Sequence, residues 1–352
     1  MDETAGARET VPAPDSAPLR LHALSYSLGL TAAVTAAARL GLADVLGEEP
    51  LSLAELAERA GAQREPLGQL MLALACHGVF RVTADGAYAH SEMSRLLRSD
   101  EPGSRRAMAL LAGAPFAWRI WGRLDEAVRS GTHVFRDTYG KELFAHLRED
   151  EPELGELFGQ AMAKNGEATA AAVTRALDLA ETATVADIGG GHGTLLKAVL
   201  ETRPAVQGVL FDLPEVTARA HPELAGPGSL ADRCRIVSGD CHQDVPVTAD
   251  VYVLKGVLHM WNDDTAVEAL RRIGRHAPAG ARIVVAEQIL DVAESAHVAS
   301  VMNLLMLVSQ GGRERTTGEF EELFARAGLT FRGVTPTGSV VHLLEAVVPG
   351  EE

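Results

Sequence analysis

Between residues 183 and 348 the chain switches repeatedly between short β-branched runs and helical patterns. Seven runs stand out: TVADIG, QGVLFD, CRIVSG, VYVLKG, ARIVVAEQI, FRGVTP and VVHLLEAVV. Strands separated by helices need crossover connections, so this half is expected to be α/β, with a mostly parallel, doubly wound sheet. Only the link PTGS separates the last two runs, which predicts an antiparallel hairpin at the sheet edge. The other half reads differently. From residue 20 to about 175, Ala, Leu, Glu and Arg dominate and apolar residues recur at three- and four-residue spacing, the pattern of nearly continuous helix. Residues 1–18 are acidic and rich in Pro and Ala, without the basic start and apolar stretch of a signal peptide, and are expected to form a disordered tail.

Within the helical half, Ser52 and Glu55 make a capping-box pattern. A short helix, a turn at Gly61, a longer helix to about His77 and a hairpin signal at Asp85-Gly86 follow, which is a winged-helix order. A recognition helix needs polar and basic side chains for phosphates and base edges. The second helix here offers Arg64, Glu65 and Gln69 and then mostly apolar residues, and the formal net charge of −16 repels polyphosphates. Assembly is therefore favoured over nucleic-acid binding. No apolar run reaches the roughly 18 residues that span a bilayer, so no membrane role is expected. The three cysteines, Cys76, Cys234 and Cys241, lack CxxC spacing. That supports neither a disulfide framework nor a zinc site, and reduced thiols point to a cytoplasmic location.

The stretch VADIGGGHGT places four glycines in five positions after an apolar run and before the helical TLLKAVLETR. Strand, glycine loop and helix cradle a nucleotide with backbone N–H groups. A dinucleotide fingerprint wants G-x-G-x-x-G, but counting from Gly189 and Gly191 the third position is Thr194. The pattern present is Asp187-x-Gly189-x-Gly191-x-Gly193, with an acid that opposes a pyrophosphate and favours a ligand carrying an amino group. The next strand ends in Asp212, suited to a ribose diol. The third leads to Asp240, within reach of an adenine amino group, and to Cys241, which can pack on the ring. Three acids after three consecutive strands point to an adenosine-type ligand.

These motifs, with FDLPEV, SGDCHQDVP, LKGVLHMWNDD, VAEQIL and GGRERTTGEFEELFARAGL, resemble class I S-adenosylmethionine-dependent O-methyltransferases of the plant-phenolic and bacterial-antibiotic type. The resemblance implies a Rossmann-like methyltransferase domain with a seven-stranded sheet over residues 166–352. It also implies a mainly helical winged-helix dimerisation domain over 19–165, through which two copies form a homodimer. Gly189, Asp212, Leu213, Asp240, Cys241 and Lys255 match the family's cofactor-binding positions. Cys241 and His242 stand where many relatives carry Met and Phe against the adenine.

Methyl transfer is an in-line displacement, so alignment is most of the task. A phenol, with a pKa near 10, also gains from a nearby base. His259 follows the strand VYVLK at the ligand end of the sheet and suits proton removal near neutral pH. Glu287 and Glu314 are candidate partners to orient its ring. The resemblance implies the same roles, a general base flanked by two acids. No carboxylate triad for magnesium is evident, so no metal is expected. An aromatic acceptor needs flat apolar walls. Trp118, Phe158, Met162 and Met302 are candidates, with Asn303 as a hydrogen-bonding group; Phe158 and Met162 match substrate-wall positions of the resembled family. Core packing is the competing reading for each. The acceptor is expected to be an aromatic or quinone-like secondary metabolite, converting S-adenosylmethionine to S-adenosylhomocysteine. Three alternatives stay open: a same-fold tailoring enzyme that binds the cofactor without methylating, a ligand-binding winged-helix regulator, and a nicotinamide-dependent dehydrogenase.

Overall fold

The computed structural model describes residues 16–350. Of the expected tail, residues 1–15 lie outside the described residues, while Ala17 and Pro18 open the first helix. The chain packs as two compact units. One runs to Trp118 and takes in Leu147–Lys164; the other comprises Arg119–His146 and the chain from Asn165 onward.

In the first unit the helical periodicity is right but the continuity is not. Helix Ser27–Arg39 stops, and Leu42–Leu46 is bracketed by Gly41 and Gly47, both at positive φ, where only glycine is unstrained. Ser52 caps helix Leu53–Arg59, and Ser52 and Glu55 make the reciprocal bonds of a capping box. Helix Arg64–Cys76 follows, then the antiparallel strands β1 (Phe80–Val82) and β2 (Tyr88–His90), with Phe80 opposite His90. Leu42, Leu46, Leu56, Leu67, Met71, Leu74 and Phe80 form its core. The winged-helix arrangement is thus built as its spacing implied.

The second unit holds β3 (Thr184–Ile188), β4 (Gln207–Asp212), β5 (Cys234–Ser238), β6 (Val251–Lys255), β7 (Arg282–Glu287), β8 (Thr330–Pro336) and β9 (His342–Val347). Their order across the sheet is β5-β4-β3-β6-β7-β9-β8. The first five strands are parallel, and β9 runs antiparallel between β7 and β8. The final hairpin therefore forms as expected, but with β8 at the edge and β9 inside the sheet. The order reverses direction between β3 and β6, and the crevice above such a switch point is where ligands bind in open α/β sheets. Apolar clusters cover both faces: one around Tyr252, Leu254, Ile283 and Phe324, the other around Val173, Leu196, Val199 and Val253.

A boundary at 165/166 put Arg119–His146 with the helical half; in the structure that segment packs with the sheet unit. Its helix Leu124–Ser130 lies on helix Ala293–Ser309, and Val134 N–H donates to Val308 O at 3.2 Å. Amphipathic spacing shows that a helix has a buried face but not what will cover it. No single described helix is long and apolar enough to cross a membrane.

Candidate active site

The glycine loop turns directly off β3. Gly189, Gly191 and Gly193 all have positive φ. A Cβ on Gly190 would lie 2.6 Å from Asp187 Cγ, so the loop can fold back on its strand only without a side chain. At Gly191 a Cβ would meet nothing within 4 Å, and its direction is open space beside bare backbone. Asp212, at the tip of β4, accepts from Gly191 N–H at 2.7 Å through Oδ2 and from Leu213 N–H at 2.7 Å through Oδ1. Burial pushes its carboxyl up and these two donors pull it back, so the group is held in place with lone pairs remaining. Asp240 follows β5, and its Oδ1 accepts from His242 N–H at 2.8 Å. The half-buried Cys241 beside it is pushed up to about 11, first by burial and then by Asp240, so its thiol stays neutral and packs as an apolar group. His242 stands edge-on to Trp261 with ring centroids 4.7 Å apart.

Asp187 is buried within β3, and its Oδ2 finds no hydrogen-bond partner among the described residues. Burial pushes its carboxyl up to about 7 against the pull of Lys255. Lys255, at the end of β6, is lowered by burial while Asp187 and Glu287 hold it up. A buried acid with an orphaned oxygen, a bare glycine backbone and a tethered strand-tip carboxylate fit an adenosine derivative that carries positive charge.

His259 sits in the 3-10 turn Leu258–Met260 just beyond β6. Its Nδ1 lies 2.7 Å from Glu314 Oε1, and the Glu314 side chain is fully buried. As a carboxylate is an acceptor only, Nδ1 carries a proton, and in the neutral ring Nε2 keeps its lone pair. Glu287, buried at the end of β7, accepts from Val257 N–H at 3.0 Å and His259 N–H at 3.2 Å. Burial alone depresses the imidazole pKa, but the charge of Glu287 and the bond to Glu314 outweigh it, and the net shift is upward. Glu287 itself is raised, mainly by burial and opposed by His259. His259, Glu287 and Glu314 are the one group among the described residues with donor atoms close enough for a cation, within 4.8 Å. The 2.7 Å hydrogen bond engages His259 Nδ1 and Glu314 Oε1, and the two N–H donors share Glu287 Oε1, while Oε2 of each carboxylate has no hydrogen-bond partner among the described residues.

Three contacts near His259 were not legible in the sequence. Asn303, expected to face an acceptor, accepts from Glu314 N–H through its Oδ1 at 3.0 Å, which leaves its amide NH₂ as the remaining donor. Gly312 lets its loop press against the turn, since a Cβ there would lie 2.1 Å from His259 O. The glycine pair before Glu314 was the available signal. Arg313 and Arg315 both pair with Asp263. Arg315 is also fully buried and donates to two main-chain carbonyls of the histidine turn. Of the remaining wall candidates, Met302 lies on helix Ala293–Ser309 with Asn303. Trp118, Phe158 and Met162 belong to the first unit, where the Trp118 indole donates to Gly113 O at 3.0 Å.

Comparison with known proteins agrees with this geometry. Residues 121–330 match the family described as an O-methyltransferase domain, and residues 23–100 match the O-methyltransferase dimerisation domain. Phenazine O-methyltransferase PhzM of Lysobacter antibioticus is 36% identical over 317 residues, covering 90% of this chain and 92% of that protein. The mitomycin biosynthesis 6-O-methyltransferase of Streptomyces lavendulae is 37% identical over 308 residues, 87% of each. Among solved structures, CalO1, a methyltransferase in calicheamicin biosynthesis bound to S-adenosylhomocysteine, superposes with a TM-score of 0.86 at 35% identity, covering 95% of this chain and 98% of that one. The strand-tip acids, the bare glycine loop and this likeness along nearly the whole length lead to one conclusion: the chain belongs to the S-adenosylmethionine-dependent O-methyltransferase family, with the family's dimerisation domain ahead of its catalytic sheet.

Proposed function

We propose that the protein methylates a hydroxyl of an aromatic or quinone-like secondary metabolite, with His259 as general base. S-adenosylmethionine, when bound, supplies an activated methyl on a sulfonium. Gly189, Gly191, Asp212, Leu213, Asp240, Cys241 and Lys255 are the residues to hold it, with Asp187 contributing negative charge beneath the loop. His259 Nε2 takes the proton of the acceptor hydroxyl, leaving an oxygen nucleophile for the methyl carbon. Glu314 fixes the imidazole tautomer and stabilises the imidazolium that forms. Glu287 anchors the main chain of the turn and adds a second negative charge. Met302 and Asn303, on helix Ala293–Ser309 of the sheet unit, are assigned to the acceptor, Met302 as an apolar wall and Asn303 through its amide.

The observation that carries this reading is the 2.7 Å bond between His259 Nδ1 and the buried Glu314, which leaves Nε2 as the acceptor nitrogen. The relatives named for phenazine and mitomycin make hydroxylated phenazines and quinones the first acceptors to test. The experiment is incubation of that panel with S-adenosylmethionine, followed by mass spectrometry for one added methylene and by assay of S-adenosylhomocysteine. His259→Ala should lower turnover about 10²- to 10⁴-fold with cofactor affinity unchanged. A loss of only a few-fold would assign catalysis to alignment alone, and cofactor binding without any methylated product would favour the non-methylating alternative. We also propose a homodimer formed through the first unit. Its helix Ala17–Ser25 has no buried residue, and Leu19, Leu21, Leu24, Tyr26 and Leu28 are exposed in the single chain.

A further inference from the structure

We propose that Arg315 is a positioning residue that holds the turn carrying His259 in register with Glu314, its own neighbour in sequence. This rests on His259 being the base. Arg315 is among the largest fully buried side chains of the protein, and every arm of its guanidinium is engaged. Nε donates to Asp263 Oδ1 at 2.9 Å, Nη1 to Leu258 O at 3.0 Å and to Arg313 O at 3.3 Å, and Nη2 to Trp261 O at 2.7 Å. Leu258 and Trp261 bracket His259, one residue before it and two after. The Arg315 main chain is anchored as well: its carbonyl accepts from Leu290 N–H at 3.0 Å, just beyond β7 and Glu287. One dipeptide therefore grips both parts of the base. Glu314 holds the ring, and Arg315 holds the backbone that aims it.

A planar fork with fixed donor directions does this; a lysine ammonium does not span both carbonyls and Asp263. Losing the fork takes its donor from the Trp261 carbonyl and one of two donors from the Leu258 carbonyl, which keeps Trp261 N–H at 3.1 Å, and so loosens the turn; an ångström of misplacement at a reacting centre costs about 10²-fold in rate. The guanidinium also acts through its charge. His259 is faced by Glu287 from β7, by Glu314, and by Arg315 as the opposing cation. Lys255 at the end of β6 faces Glu287, and Asp263, shared with Arg313, partly neutralises Arg315. Removing the Arg315 charge lets His259 keep its proton to higher pH; freeing that charge from Asp263 does the reverse.

The test follows the imidazole itself. The protein is labelled with ¹³C at histidine Cε1, His259 is assigned by its loss in His259→Ala, and its titration midpoint is measured for the parent, Arg315→Gln, Arg315→Lys and Asp263→Asn. Turnover on an acceptor from the phenazine and quinone panel is recorded alongside, with cofactor affinity by calorimetry. Arg315→Gln is expected to raise the midpoint by about half a pH unit or more and to lower turnover by roughly 10- to 100-fold, with cofactor affinity kept. Arg315→Lys should restore the midpoint but not the turnover, a split that a purely structural arginine does not produce. Should Arg315→Gln fail to fold, Asp263→Asn carries the test: the His259 midpoint should fall and turnover should drop. A midpoint and a turnover unchanged in the folded variants overturn the inference while leaving the base in place. Parental turnover in His259→Ala overturns both.

Discussion

His259 loses solvent and gains two carboxylates within a few ångströms, and the carboxylates win. The consequence for activity has a definite sign. In the proposed role His259 works deprotonated, so turnover is expected to rise with pH through the histidine midpoint, which lies above the ordinary value near 6.5. Glu314→Gln removes one of the charges that hold the proton, so the acid limb of the kcat profile should move to lower pH while maximal turnover falls. A limb that stays put would mean that another group controls it. Asp187 poses the opposite problem. Burial raises its carboxyl to about 7, so its contribution to stability is intact below the unfolded value and is lost as pH rises through the folded one. Asp187→Asn should therefore raise the melting temperature of the ligand-free protein, by a margin that grows between pH 5 and pH 8, and should weaken S-adenosylmethionine binding in calorimetry. Equal melting curves across that range would show that the burial penalty is already met. Asp212→Ala should weaken cofactor binding at least tenfold, as a ribose loses charge-assisted acceptors. At this scale the sequence was most informative where a side chain ends a strand: the strand-end positions of Asp212 and Glu287 were legible from the residues themselves, whereas Lys255 was singled out only by the family resemblance. Arg315 was not legible, since whether an arginine is a surface ion pair or a buried clamp depends on residues 52 to 57 positions away.

Elements were legible in proportion to how local their causes are. All seven strands of the sheet came from short-range composition, and the cap at Ser52 came from four residues. Ser52→Ala should cost about 1 kcal/mol in denaturant unfolding. The glycine loop gives a sharper test. A methyl on Gly190 falls 2.6 Å from Asp187 Cγ and 2.7 Å from Leu210 Cδ1, so Gly190→Ala should destabilise by about 1–3 kcal/mol and displace the cradle. A variant that melts and binds cofactor like the parent would contradict this packing. What sequence did not reveal was where a helical run breaks, because Gly41 and Gly47 stop helices by backbone conformation while the apolar spacing continues around them. Nor did it reveal that helix Leu124–Ser130 belongs with Ala293–Ser309, since one amphipathic face fits many partners.

For the whole molecule, a net charge of −16 and an apolar, uncovered N-terminal helix make opposite demands. Like-charged chains repel at long range, and only a contiguous apolar contact overcomes that at short range. Leu21→Glu together with Leu24→Glu should convert a dimer to a monomer in light scattering coupled to gel filtration, while cofactor binding to the sheet unit persists. A dimer that survives both substitutions would place the interface elsewhere. The order of strands carries a separate consequence for how the protein comes into being. β9 is the seventh strand of the sheet to leave the ribosome, yet it slots between β7 and β8 and pairs along the whole of β7, with His342 opposite Glu287. Until it arrives, the strand that carries Glu287 has one raw border of unpaired amides, open to pairing with any other extended chain. Translation that halts before His342 thus yields a polypeptide whose β7 border is left open, a natural client for chaperones and proteases.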